Sequence, residues 1–92
     1  MIATVAHAGD GNLHPVFVFD RQGEVPASVW AAADEVFRAA LDLGGTLTGE
    51  HGVGVIKRRW LAAELGEESM AVHRAIKAAL DPAGLLNPGK GF

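Results

Sequence analysis

Residues 2–19 read Ile2-Ala3-Thr4-Val5-Ala6-His7-Ala8-Gly9-Asp10-Gly11-Asn12-Leu13-His14-Pro15-Val16-Phe17-Val18-Phe19. Two apolar, β-branched runs, 2–8 and 14–19, flank the Gly-Asp-Gly-Asn stretch at 9–12. An Asp-Gly pair between such runs is a strong hairpin signal, because both central residues of a type I′ turn take positive φ. Asn12 is read with the turn, since Asn tolerates that conformation. Placing Asp10 and Gly11 at the turn centre sets His7 opposite His14 and Ala6 opposite Pro15. Pro15 then falls at a position that does not bond across the hairpin.

Directly opposed residues hold their Cβ atoms ~4.5–5.5 Å apart. Two imidazoles that close can share one ion, at ~2.0–2.1 Å per nitrogen for zinc. A slip by one residue would put them on opposite faces and abolish the site. A lone strand histidine usually has a structural role, so both readings of the pair stand at this level. A pair of His ligands leaves room for a carboxylate, and such mixed sites suit zinc, iron or manganese. Glu50 is the leading candidate, because glycines flank the Glu50-His51 pair; Asp10 comes second, since the turn already gives it a role. His51 is the natural general base, its type titrating near neutrality. His73 reads as a structural or surface residue without a partner.

Downstream, Asp20-Arg21-Gln22-Gly23 reads as a polar turn. Pro26 and Ser28 mark a helix start. Trp30, Ala33, Phe37, Ala40 and Leu41 recur at helical spacing and form one apolar face. Gly44-Gly45 stops that helix. Thr46-Leu47-Thr48 is a candidate short strand, and Gly49–Gly54 a glycine-rich loop. The spacing predicts a second helix from about Val55 to Leu65, ended by Gly66. A third follows from about Glu67 to Leu80, with Val72, Ile76, Ala79 and Leu80 inward, and Asp81-Pro82 ends it. The expected fold class is therefore α+β: an antiparallel sheet, seen as an N-terminal hairpin, covered by about three helices.

A lone two-stranded hairpin is marginal in water. Its missing strands are expected in a longer parent, with Met1 set before an internal segment, or on a second copy. Either case leaves strand edges that favour a homo-oligomer. The 92 residues suffice for one domain, and with 49% hydrophobic residues it should fold. The formal charge of −3 argues against nucleic acid as partner. The basic run Lys57-Arg58-Arg59 reads as a solvated helix face. Without cysteine there is neither disulfide nor thiolate chemistry. No run approaches the ~20 apolar residues that span a bilayer.

Three stretches together resemble the C-terminal end of FAD-linked oxidases of the glycolate oxidase, D-lactate and D-2-hydroxyglutarate dehydrogenase type. They are His7-Ala8-Gly9-Asp10-Gly11-Asn12-Leu13-His14, Gly44–Gly54 and Asp81–Lys90. The resemblance implies that residues 1–92 are the last segment of a cap domain, an incomplete ferredoxin-like piece, with the FAD-binding domain elsewhere. It implies His7, His14 and Glu50 as ligands of a divalent metal (zinc, iron or manganese) and His51 as the base. Asn87 and Lys90 would lie near the cofactor. The implied substrate is a small D-2-hydroxy acid, the electron acceptor being undefined. Val16 stands where some hydroxyglutarate-type members carry Asn, which favours lactate or glycolate. The implied location is cytoplasmic, or peripheral to a membrane through other subunits. An isolated segment is expected to be inactive. The competing expectations are a non-enzymatic association module and a metal-dependent hydrolase.

Overall fold

A computed structural model describes residues 1–20 and 23–91. Its elements run β1 (Ile2–His7), β2 (Asn12–Phe17), α1 (Ala27–Asp42) and α2 (Arg58–Leu80). This is the α+β architecture expected, with a two-stranded antiparallel sheet and two helices rather than about three. The polar turn at Asp20–Gly23 lies partly outside the described residues. The chain divides into two units, residues 1–38 and 39–92.

In the first unit the hairpin register differs from the expected one. Val5 pairs with His14, His7 with Asn12, and Thr4, not Ala6, with Pro15. The cause is the connection. It is a four-residue loop, Ala8–Gly11, closed by Asp10 N–H to His7 O (3.0 Å) and Gly11 N–H to Ala8 O (3.4 Å). Only Gly11 takes a positive φ there, so Asp10-Gly11 is not a type I′ turn and Asn12 belongs to the strand. The slip is two residues, which preserves the face on which each side chain lies. Met1 and Val18 bond at the open end of the ladder. The alternation of an antiparallel ladder then puts Thr4 and Pro15 in a non-bonded pair, where the missing N–H of proline has no consequence. β1 is exposed along its whole length.

The Pro26 carbonyl accepts the first bonds of α1, from Val29 N–H (3.0 Å) and Trp30 N–H (3.3 Å). Ala33 is buried, and Trp30, Phe37, Ala40 and Leu41 are half-buried, which is the apolar face expected. The helix ends in a Schellman motif: Gly44 N–H to Leu41 O (2.9 Å) and Gly45 N–H to Ala40 O (2.8 Å). Gly44 sits at φ +79°, and a Cβ on Gly45 would stand 2.9 Å from the Ala40 oxygen.

In the second unit Thr46-Leu47-Thr48 is not a strand. Its polar groups bond a helix instead: Leu47 N–H reaches Glu64 Oε2 at 3.0 Å, and the Thr46 hydroxyl donates to Glu64 Oε1. Leu47, Leu61 and Met70 are the buried apolar residues of this unit among the described residues. The second and third expected helices run as one element, α2, broken at Gly66 (φ 73°, ψ 164°). Its start is Arg58 rather than Val55, after a turn in which Lys57 N–H bonds Val53 O (3.3 Å). The inward face expected of Val72, Ile76, Ala79 and Leu80 is not observed. Val72 is 58%, Ile76 55% and Leu80 76% exposed, Ala79 is exposed too, and Met70 is buried in their place.

Candidate functional site

On the hairpin, His7 and His14 lie diagonally across the ladder, not opposite each other. A diagonal pair on one face is ~7–8 Å apart at the backbone and within reach of aromatic side chains. The two imidazoles meet edge to face, with centroids 5.2 Å apart and planes at 86°. His14 is half-buried and His7 exposed. One hairpin face thus presents two ring-nitrogen donors side by side, the type of donor that zinc, iron and manganese accept. Asp10 closes the loop beside them through its backbone N–H.

In the second unit the glycine loop carries Glu50 and His51, both exposed. His51 Nε2 lies 3.6 Å from Glu50 Oε1. Thr48 anchors the loop: its hydroxyl donates to Gly52 O (2.7 Å) and accepts from Lys57 Nζ (3.3 Å). Gly52 and Gly54 stand at φ +71° and +57°, conformations that a β-carbon strains. The sequence matches, over residues 1–91, the family described as FAD linked oxidases, C-terminal domain. The chain belongs to that family.

This FAD linked oxidase C-terminal domain is 49% identical over 92 residues to the glycolate oxidase subunit GlcD of Bacillus subtilis. That match covers 99% of the chain and 20% of GlcD. It is 42% identical over 92 residues to the mitochondrial D-lactate dehydrogenase (cytochrome) of Kluyveromyces lactis, covering 100% of the chain and 16% of that enzyme. The mitochondrial D-lactate dehydrogenase (cytochrome) 1 of Saccharomyces cerevisiae is 46% identical over 90 residues, with 98% and 15% covered. The domain therefore spans about a fifth or less of the curated relatives it matches.

Within the domain, the C-terminal tail holds Asn87 and Lys90. Asn87 takes a positive φ of 46°, and its carbonyl accepts the Lys90 N–H at 3.1 Å, a tight turn across Pro88-Gly89. His73 does have a partner: its Nδ1 lies 2.7 Å from Ser69 O, which requires the proton on Nδ1. Glu64, Lys77 and Asp81 order this unit through bonds that the sequence reading did not assign, Asp81 having been read only as a helix end and as part of the third stretch. The i, i+4 spacing of Lys77 and Asp81 on a helix was a readable signal for an ion pair. Nothing local in the sequence links Glu64 to Thr46.

Asp81 is almost fully buried and its carboxyl lies below the usual carboxylate range, chiefly because the Lys77 ammonium bonds it. Burial opposes that shift, and the Leu86 and Leu85 N–H groups reinforce it.

Proposed function

We propose that this domain supplies the substrate side of a flavin-dependent dehydrogenase that converts a small D-2-hydroxy acid, of lactate or glycolate type, to the 2-oxo acid. The convergence of the His7 and His14 rings on one hairpin face supports the reading most directly. In it, His7, His14 and the Glu50 carboxylate hold a divalent cation: zinc, iron or manganese. Bound there, such an ion supplies Lewis-acid polarisation of a hydroxy-acid substrate's oxygens. FAD, implied by the family and held by a further domain, supplies the two-electron acceptor. His51 takes the substrate hydroxyl proton on a ring nitrogen, and the α hydrogen leaves carbon with its bonding electron pair, a hydride equivalent for that acceptor, as the carbonyl forms. Asn87 and Lys90 border the cofactor or substrate. The domain alone, without a bound flavin, turns over no substrate.

The test has two arms. Calorimetric titration of the 92-residue chain with Zn²⁺ or Mn²⁺ should show binding that the His7→Ala/His14→Ala double variant loses. Equal binding by both overturns the ligand assignment. In a flavin-loaded enzyme carrying this domain, His51→Ala should slow flavin reduction ~10²–10⁴-fold with FAD retained. An unchanged rate overturns the base.

A second reading, association between copies, has its own observation. β1 is exposed throughout and carries neither Lys nor Pro to blunt its outer edge. Thr4→Pro removes an edge N–H without touching the β2 ladder. It should shift an oligomer toward monomer in light scattering, and an unchanged mass overturns this reading.

A further inference from the structure

The end of α2 carries a carboxylate that the proposed chemistry does not use. Asp81 is 8% exposed. Its Oδ1 accepts the Leu85 N–H at 2.8 Å, and its Oδ2 accepts the Leu86 N–H at 2.9 Å and the Lys77 ammonium. Lys77 Nζ also donates to Leu86 O at 2.6 Å, and Gly84 N–H bonds Asp81 O at 3.0 Å. These bonds turn residues 81–86 back against the helix end. Further along, Arg58 Nη1 donates to Gly89 O at 2.9 Å. Gly91 N–H then bonds Gly54 O at 3.1 Å. The tail that begins on the Asp81 carboxylate thus ends on the last residue of the loop carrying Glu50 and His51.

We propose that Asp81 and Arg58 are positioning residues, which hold the 81–91 tail as a brace behind the Glu50–His51 loop. The proposal rests on the reading of His51 as proton acceptor. A loop with glycine at 49, 52 and 54 loses much backbone entropy on ordering. Within the loop, the Gly52 N–H to Gly49 O contact is long at 3.5 Å. The bond from Gly91 fixes one end of the loop only if the tail is itself rigid. That rigidity calls for a carboxylate at 81, since both oxygens accept at once from two N–H groups and an ammonium. An amide offers one acceptor and adds donors where donors already point.

Amide hydrogen exchange of the 92-residue chain, read by NMR, tests the brace. Asp81→Asn should speed exchange at Leu85 and Leu86, and also at Gly91 and Gly52, by about tenfold or more. Val36 and Phe37 of α1 should keep parental rates, and Asp81→Glu should restore part of the protection. In the parent, protection at Gly52 and Gly91 should fall with that of Leu85 once acid protonates Asp81, below the ordinary aspartate range, and Asp81→Asn should lack that step. Release confined to Leu85 and Leu86 overturns the proposal. If Asp81→Asn loosens the whole chain, Arg58→Ala decides. It should free Gly91 and Gly52 with Leu85 and Leu86 still protected, and unchanged Gly91 and Gly52 overturn the brace. No readout involves substrate or flavin, so failure of the His51 assignment registers separately, in the flavin-reduction assay.

Discussion

His14 faces Val5 across the ladder, yet its imidazole meets that of His7, two pairs further on, with centroids 5.2 Å apart. The histidines share a face because a four-residue loop displaces the register by two, an even number.

The register is open to a direct check, because the chain has no cysteine of its own. Ala6 and Leu13 face each other in a non-bonded pair, where side chains come closest. Ala6→Cys/Leu13→Cys should be oxidised readily by a mild added oxidant to an intramolecular disulfide, seen as the loss of two hydrogen atoms by mass spectrometry. Ala6→Cys/Pro15→Cys, the pair opposed in a two-residue-turn register, should not. The reverse result would restore the Asp10-Gly11 turn.

Gly66 separates two opposing expectations. By helix propensity alone, Gly→Ala inside α2 should stabilise by about 1 kcal/mol. At φ 73° and ψ 164°, however, the backbone occupies a region open essentially to glycine. Gly66→Ala should therefore destabilise the chain by about 1–3 kcal/mol in denaturant titration. A gain in stability would mean that α2 can run straight through residue 66.

At the end of α1, Gly45→Ala would press a methyl group into the Ala40 carbonyl at 2.9 Å, inside the Schellman motif. A loss of about 1–3 kcal/mol is expected from the overpacking. Thermal unfolding followed by circular dichroism measures it, and a melting point equal to the parent's would contradict the tight contact.

Asp81 sets an acid limit on the second unit. Its folded-state carboxyl lies below the ordinary aspartate value, with the Lys77 bond as the main cause. A depressed carboxyl contributes stability above its unfolded pKa and loses it as pH falls through the lower folded value. His73 and Lys77 border the same cleft at the helix end. Stability measured from pH ~5 to ~2 should therefore decline more steeply in the parent than in Asp81→Asn. Identical slopes would remove Asp81 from the acid transition.

Glu64 joins segments that are distant in sequence. Its carboxylate receives both Leu47 N–H and the Thr46 hydroxyl, beside a Leu47 that is 3% exposed. Glu64→Ala leaves those donors without a protein acceptor, a loss of roughly 1–3 kcal/mol. Glu64→Gln, which retains one acceptor oxygen, should lose less. Equal losses would assign the effect to packing instead of bonding.

Local chemistry is legible along the whole chain. Alternating β-branched residues around Gly9–Gly11 determined a hairpin, the 3.6-residue recurrence from Trp30 to Leu41 determined α1, and Gly44-Gly45 determined its end. Glycine at 66 determined a break in the helical run, and the motifs around His7, Glu50 and Asn87 carried the family. Each of these depends on interactions within a few residues, which spacing encodes. The tertiary structure decided what spacing leaves degenerate. A four-residue loop and a two-residue turn both accommodate Gly-Asp-Gly-Asn, so only the paired ladder distinguishes Val5 from His7 as the partner of His14. Thr46-Leu47-Thr48 has strand-like composition, but its N–H found the Glu64 carboxylate because α2 lies within reach and no second strand does among the described residues. The periodicity of α2 likewise implied one buried face from Val72 to Leu80. Burial is a property of what packs against a helix, and in this chain Met70 is covered while Val72, Ile76 and Leu80 stay in water.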